Sequence, residues 1–189
     1  MTAPTLATPR LTLRSWRDAD VDAFAAMFAD PLVMEFLPAA PDRAGIEAIV
    51  GRIRAHFVEH GFGWWAAELK ASGDFIGFIG LSRVTFEAHF TPAVEVGWRL
   101  ASAYWDQGYA TEGAKAALDF GFTRLGLPEI VSFTVPANRR SWRVMQRIGM
   151  THDPADDFDH PRLEAGDPFR RHVLHRMSRA RWEEMSERH

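Results

Sequence analysis

A run of small residues between a strand pattern and a helix pattern constrains this chain more than any other feature. Residues 94–100 (Val-Glu-Val-Gly-Trp-Arg-Leu) alternate in a way that is typical of a β-strand. Residues 105–114 follow, contain Gly108 and Ala110, and lead into an apolar helical pattern. Small residues let a ligand approach the backbone, and the first turn of a helix has unpaired N–H groups. The small residues, the unpaired N–H groups and the positive end of the helix dipole together predict an anion site that is suited to a pyrophosphate.

A second helix is predicted to start at Asn138 and to end at Gly149. Ser141 and Met145 lie three and seven residues after Asn138, so the three side chains share one stripe of this helix. Residues 130–135 before it read as a further strand. Strand, helix and strand with short connections predict a right-handed parallel crossover.

This ordered set of segments resembles the acetyl-CoA-binding core of the GNAT N-acetyltransferase superfamily, and within it the RimJ/RimL-like branch. Residues 8–14 (Thr-Pro-Arg-Leu-Thr-Leu-Arg) resemble the first strand of that branch, and residues 158–163 (Phe-Asp-His-Pro-Arg-Leu) resemble a segment near its end. The superfamily often has Gln or Arg three residues before the first loop glycine, where this chain has Trp105. We expect Gln107 to supply that polar contact instead.

The resemblance implies an α/β fold. We expect a mixed, mostly antiparallel central sheet with a parallel βαβ coenzyme-binding core and helices on both faces. We also expect one domain over residues 1–189, with its core at about 8–177. Acetyl-CoA is the implied co-substrate, and no metal is implied. The expected coenzyme contacts are Val96, Gly97, Trp98, Leu100, Gln107, Gly108, Tyr109, Ala110, Thr111, Asn138, Ser141 and Met145.

Two residues are candidates for the proton transfers of acetyl transfer. Glu95 faces opposite to its apolar strand neighbours, so it is a candidate base that takes a proton from the amine, directly or through water. Alternatively, Glu95 is an ordinary solvent-facing carboxylate. The resemblance places Asn138 and Ser141 beside the pantetheine arm, so Ser141 is a candidate acid for the departing thiolate. Alternatively, Ser141 is a small residue tolerated in the core, and Asn138 is a plain helix cap.

Gly97 interrupts the strand of Glu95, and a glycine in a strand often marks a bulge or a close approach of another group. A bulge would free backbone N–H groups for the oxyanion that develops on the thioester carbonyl. The alternative is that Gly97 relieves crowding under Trp98.

Composition excludes several classes of function. The chain has no cysteine, so disulfides, thiolate zinc sites and a cysteine nucleophile are ruled out. A net charge of −3 gives no electrostatic footprint for nucleic acid. We see neither a secretory signal nor a stretch of membrane-spanning length, so a cytoplasmic location is expected by default. The acidic segment 153–167 lacks a recognised metal-ligand spacing; we expect a solvated loop, or a rim that attracts a cationic amine.

These observations predict an enzyme that transfers acetyl from acetyl-CoA to a primary amine by direct attack. The acceptor is either a protein N-terminus or a small-molecule amine, and a homodimer is left open. The alternative is a non-catalytic acyl-CoA-binding module.

Overall fold

Two compact units are formed by different parts of the chain in a computed structural model, which describes residues 4–37 and 39–187. Unit 1 comprises residues up to Ser82 together with Gly97–Ala117, and unit 2 comprises Arg83–Val96 together with the residues from Leu118 onwards. The elements in chain order are as follows: β1 Leu6–Ala7, β2 Leu11–Arg14, α1 Asp20–Met27, α2 Pro31–Met34, α3 Arg43–His60, β3 Trp64–Leu69, β4 Phe75–Arg83, β5 Val94–Leu100, α4 Tyr109–Thr123, β6 Glu129–Thr134, α5 Arg139–Arg147, β7 Thr151–His152, β8 Phe158–Asp159, β9 Arg171–Ser178 and α6 Arg179–Ser186.

Unit 1 is built on the antiparallel strands β1 to β4, with the end of β5 beside β4. β3 and β4 form an antiparallel hairpin, in which Trp64 lies opposite Gly80. Consecutive residues of β4 are buried, so side chains on both of its faces are covered. The largest fully buried side chains of this unit are Leu11, Leu13, Phe24, Ile46, Trp65, Ile76, Ile79 and Leu81.

Unit 2 contains the parallel strand pair of the predicted crossover. β5 pairs with β6 in parallel at Glu95 opposite Val131, and β9 pairs antiparallel with β6. A core of Phe90, Val131, Phe158 and Leu174 covers one face of these strands. The mixed α/β fold class, mostly antiparallel with one parallel pair, is therefore confirmed. None of the described helices has both the length and the apolarity needed to cross a membrane.

The segment from Asp153 to Pro168 is more ordered than the single long loop that its Pro and Asp content indicated. It contains a 3₁₀ turn at Pro154–Asp156 and the strand β8, which pairs with β9 through Phe158 opposite His172. Phe158 is buried in the aromatic core, and this burial holds the segment against the sheet.

Asp18 and Asp20 at the start of α1 are of a residue type that often caps a helix, but the residue at the cap position is Ala19, without a side-chain hydrogen bond. Asp20 is instead buried and accepts two hydrogen bonds, of 2.7 and 2.8 Å, from the guanidinium of Arg14. Arg14 also donates to Glu68 at 2.7 Å. A buried arginine requires anionic partners, so Asp20 pairs with Arg14 instead of capping the helix.

We predict that Asp20→Asn destabilises the fold by about 3–5 kcal/mol, because it leaves a buried arginine short of a counter-charge. Burial alone would raise the pKa of Asp20, but hydrogen bonds from Arg14 and from the Arg17 N–H lower it overall. The stabilisation is thus present at neutral pH and is lost as the pH falls, so the two proteins should converge in acid. Urea unfolding at several pH values measures this. Asp18→Asn, at a carboxylate whose side chain is 95% exposed, is the control; an equal loss in both variants would contradict the prediction.

Candidate active site

The loop before α4 turns sharply through two left-handed residues. Asp106 has φ 57° and Gly108 has φ 82°. The indole N–H of Trp105 donates to the carbonyl of Leu100 at 2.8 Å, which ties the start of the loop to the end of β5. This turn brings the backbone directly from β5 into α4, as the sequence predicted.

The first turn of α4 has the features of an anion site. Its first helical hydrogen bond runs from the N–H of Glu112 to the carbonyl of Gly108 at 3.0 Å. The N–H groups of Tyr109, Ala110 and Thr111 therefore precede the hydrogen-bonded series of the helix. The hydroxyl of Thr111 is buried and has no hydrogen-bond partner within residues 4–37 and 39–187. An anionic ligand would satisfy such donors.

Glu112 fixes this turn to the N-terminal strands, a role that the sequence did not reveal. Its carboxylate accepts hydrogen bonds from the Thr8 hydroxyl at 2.6 Å, the Arg10 N–H at 2.8 Å and the Arg10 guanidinium at 2.6 Å. Burial raises the pKa of Glu112, but these hydrogen bonds outweigh burial and lower it. The carboxylate is thus charged, and its charge is compensated by Arg10.

Arg10 brings a positive charge to the loop at Gln107, whose expected contact with the coenzyme stays a prediction. The side-chain amide of Gln107 donates to the carbonyl of Ala103 at 3.0 Å. Arg10 donates to the Gln107 carbonyl at 2.9 Å and lies over the Tyr109 ring at 4.5 Å. One of its terminal nitrogens would lie 3.4 Å from a Cβ at Gly108. A cation is therefore present at the loop, and it comes from a residue that is distant in sequence.

Gly97 lies in a continuous strand, between the buried residues Val96 and Leu100 and next to the half-buried Trp98. It is not among the described glycines with a left-handed φ. A Cβ at this position would lie 3.4 Å from the indole nitrogen of Trp64. The sequence offered a bulge or relief of crowding under Trp98; the structure shows a close approach of Trp64.

In unit 2, Glu95 is a half-buried carboxyl group on an apolar face. Because it lies opposite Val131 in the parallel pair, both side chains point to the face that Phe90 and Phe158 cover. The loss of solvent there raises the pKa of Glu95 to about 7. No described residue forms a hydrogen bond or an ion pair with it. This carboxyl group is therefore suited to exchange a proton near neutral pH.

Asn138 caps α5 as predicted. Its side-chain oxygen accepts a hydrogen bond from the Ser141 N–H at 3.2 Å, and its amide donates to the Thr134 hydroxyl at 3.1 Å. The half-buried Ser141 hydroxyl has no hydrogen-bond partner in the part of the chain that is described, so it can still bind a ligand. Met145 is buried on the next turn of the helix.

Three carboxylates of the acidic segment after β7 have partners within unit 2. Asp156 accepts hydrogen bonds from Arg176 at 2.7 and 3.1 Å, and Asp157 bonds to His152 at 2.8 Å. Asp159 pairs with Arg170 and Arg171. These pairs reduce the negative charge that the segment would offer to a cationic amine, and the acidic rim stays a prediction.

Comparison with known proteins identifies this architecture. The family model of the acetyltransferase (GNAT) domain matches residues 10–151. The FsC-acetyl coenzyme A-N(2)-transacetylase of Aspergillus fumigatus is 32% identical over 157 residues, which cover 79% of this chain and 66% of that protein. An acetyltransferase structure from Agrobacterium tumefaciens is 32% identical, covers 94% of this chain and 95% of its own, and has a TM-score of 0.74.

The structure of Mycobacterium smegmatis RimJ in complex with CoA-disulfide has the same fold at 22% identity, with a TM-score of 0.74 over 100% of this chain and 98% of that chain. A family match over residues 10–151 shows that the chain belongs to the GNAT acetyltransferase family. As a member of that family it is an acetyl-CoA-dependent acetyltransferase.

We predict that Gly108→Val abolishes acetyl-CoA binding while the protein stays folded. A β-branched side chain at φ 82° would distort the turn and fill the space next to the helix N–H groups. Gly73→Val is the matched control, because Gly73 has φ 78° and open space around its position. Calorimetric titration with acetyl-CoA measures the difference. Equal affinity of the Gly108 variant and the wild type would refute the assignment.

Proposed function

We propose that this protein is an N-acetyltransferase of the RimJ/RimL-like branch that transfers acetyl from acetyl-CoA to a primary amine by direct attack. The observation that carries the proposal is Glu95, a carboxyl group whose pKa of about 7 suits a base for an amine. The name of the A. fumigatus relative, an N(2)-transacetylase, describes transfer to nitrogen and supports this reaction class.

Acetyl-CoA, when bound, supplies an activated acetyl thioester. In unit 1 we assign its pyrophosphate to the backbone N–H groups from Gly108 to Thr111, with Arg10 as a nearby cation. Residues Val96, Gly97, Trp98 and Leu100 of β5 and the loop residue Gln107 remain proposed contacts. In unit 2 we assign contacts with the pantetheine arm to Asn138, Ser141 and Met145. The free donors in the first turn of α4 and the open Ser141 hydroxyl support these assignments.

The proposed chemistry then follows from the chain's own groups. Glu95 accepts the proton that the amine loses as its nitrogen bonds to the carbonyl carbon. Backbone N–H groups of β5 stabilise the negative charge on the carbonyl oxygen. Ser141 donates a proton to the sulfur as the carbon–sulfur bond breaks. A thiol has a pKa near 8.5, so a weak acid is sufficient for that step.

Release of coenzyme A in the presence of a panel of small amines and peptides tests the function. Coenzyme A release that increases with time for at least one acceptor supports the enzymatic function. The rival is a non-catalytic acyl-CoA-binding module, which would bind acetyl-CoA tightly and release no coenzyme with any amine. The same panel separates a protein N-terminus from a small-molecule amine as the acceptor.

We predict that Ser141→Ala lowers kcat by about 10²-fold, which is the lower end of what a positioned acid contributes. Affinity for acetyl-CoA should change little, because the thiolate forms only during the reaction. Steady-state kinetics and titration on the same preparation measure both. Ser186→Ala removes another helical hydroxyl of unit 2 and serves as the control. A variant with wild-type kcat would remove Ser141 from the mechanism.

For Glu95→Gln we expect a loss of about 10²–10⁴-fold in kcat/KM and a changed pH profile. Wild-type kcat/KM should rise as the pH passes through about 7, where the folded Glu95 ionises, and rise further as the amine loses its own proton. The kcat/KM of the variant should still rise as the amine loses its proton, but it should not rise near pH 7. If the wild type and the variant have identical pH profiles of kcat/KM from pH 6 to 9, deprotonation of the free amine in solution is sufficient and Glu95 is not the base.

Thermal unfolding separates this effect from damage to the fold. Because the folded pKa of Glu95 is raised, its charged form costs stability as the pH rises through about 7. Glu95→Gln should therefore have a higher Tm than the wild type at pH 8 and a similar Tm at pH 5. Glu184→Gln, at an exposed carboxylate of unit 2, should shift neither Tm nor kcat/KM.

A further inference from the structure

Arg99, near the end of β5 in unit 1, is a half-buried cation for which the described residues supply no anionic partner. Its guanidinium carbon lies 5.4 Å from the centre of the Phe28 ring and 5.6 Å from that of Phe78. No carboxylate of the described residues forms an ion pair or a hydrogen bond with it. The rings attract the charge but accept none of its five N–H groups in the plane of the guanidinium.

The same unit shows how an arginine is normally accommodated. Arg14 is buried and has two carboxylate partners, Asp20 and Glu68. Burial lowers the pKa of Arg99 to about 10, so the side chain still carries its charge at neutral pH. A desolvated cation without a partner costs folding stability, and an anionic ligand would offset that cost.

The sheet surface beside Arg99 contains a second donor for which the described residues offer no partner. Trp64 stacks on Phe78 with ring centres 5.0 Å apart, and its indole nitrogen would lie 3.4 Å from a Cβ at Gly97. The Trp64 N–H is buried and has no partner among residues 4–37 and 39–187. A buried N–H without a partner is rare and calls for an explanation, and a polar ligand would satisfy it.

We propose that this sheet surface, with Arg99, the Trp64 N–H and Gly97, binds the carboxylate of the acceptor, so that the enzyme acetylates amines that carry a carboxylate group. The planar guanidinium matches a carboxylate with two parallel hydrogen bonds. Phe28 and Phe78 provide apolar walls that suit a hydrocarbon spacer between the carboxylate and the amine. The inference rests on the N-acetyltransferase function proposed above, in which Gly97 contacts the coenzyme.

A series of ω-amino acids tests the proposal against matched neutral compounds. The acceptors are glycine, β-alanine, 4-aminobutyrate and 6-aminohexanoate, each compared with its primary amide under saturating acetyl-CoA. At least one amino acid should exceed its amide in kcat/KM by about 10- to 100-fold, which is the effect expected of a hydrogen-bonded charge pair. If every amide is acetylated as well as its amino acid, this surface does not bind a carboxylate. A clear preference for O-phosphoethanolamine over all of them would also overturn the proposed ligand class.

Substitutions assign the preference to residues. Arg99→Gln should abolish the preference for the carboxylate, with kcat/KM for the amides and affinity for acetyl-CoA unchanged, and Arg99→Lys should retain part of it. Trp64→Phe keeps the ring beside Phe78 but removes the N–H, so it should weaken the preference several-fold. Arg52→Gln removes an exposed charge of the same unit and is the control. A preference that survives Arg99→Gln would contradict the assignment.

Binding of hexanoate, which has a carboxylate but no amine, separates this inference from the proposed function. Calorimetry should detect hexanoate binding to the wild-type protein with coenzyme A present, and no binding to Arg99→Gln. Hexanoate binding without turnover of any amine would overturn the N-acetyltransferase proposal and leave the anion site standing. Turnover of neutral amines without hexanoate binding would overturn the anion site and leave the N-acetyltransferase proposal standing.

Discussion

The arrangement of unit 1 depends on one carboxylate, that of Glu112. It accepts hydrogen bonds from the side chain of Thr8 and from both the backbone and the guanidinium of Arg10. This holds the first turn of α4 against the N-terminal strands. The left-handed turn at Asp106 and Gly108 is then held by Trp105 and Arg10 as well, through their hydrogen bonds to the Leu100 and Gln107 carbonyls. Without Glu112, the helix start and Arg10 would each lose the partner that positions it.

Charged groups in this protein fall into two kinds. Arg14, Asp20, Arg176 and Asp156 are paired at hydrogen-bond distance, and their pairs stabilise the fold. Glu95 in unit 2 and Arg99 in unit 1 are desolvated, and the described residues supply no counter-charge for either. A group that the fold leaves unpaired in a poorly solvated place remains available to a substrate. The candidate functional groups were recognisable by this difference rather than by residue type.

The predictions from sequence succeeded where short-range physics decides the structure. The alternation of residues 94–100 gave a strand, and Asn138 caps α5 because its side-chain oxygen reaches a backbone N–H three residues later. The turn before α4 was predictable for the same reason, since Gly108 and the helix start are adjacent in the chain. Asp20 is of a residue type that often caps a helix, but it is buried beside Arg14, a partner six residues away that lies in another element.

The sequence by itself determined the elements, the fold class and the family, because these depend on residue periodicity and on the order of motifs along the chain. Only the tertiary structure decided which charges are paired. Arg170, Arg171 and Arg176 pair with Asp159 and Asp156 of the acidic segment, and Arg10 brings a cation to the loop at Gln107. None of the described carboxylates pairs with Arg99, and Trp64 lies over Gly97 because strands from different parts of the chain are neighbours in the sheet. Electrostatic pairing and desolvation depend on distance in space, which no local pattern encodes.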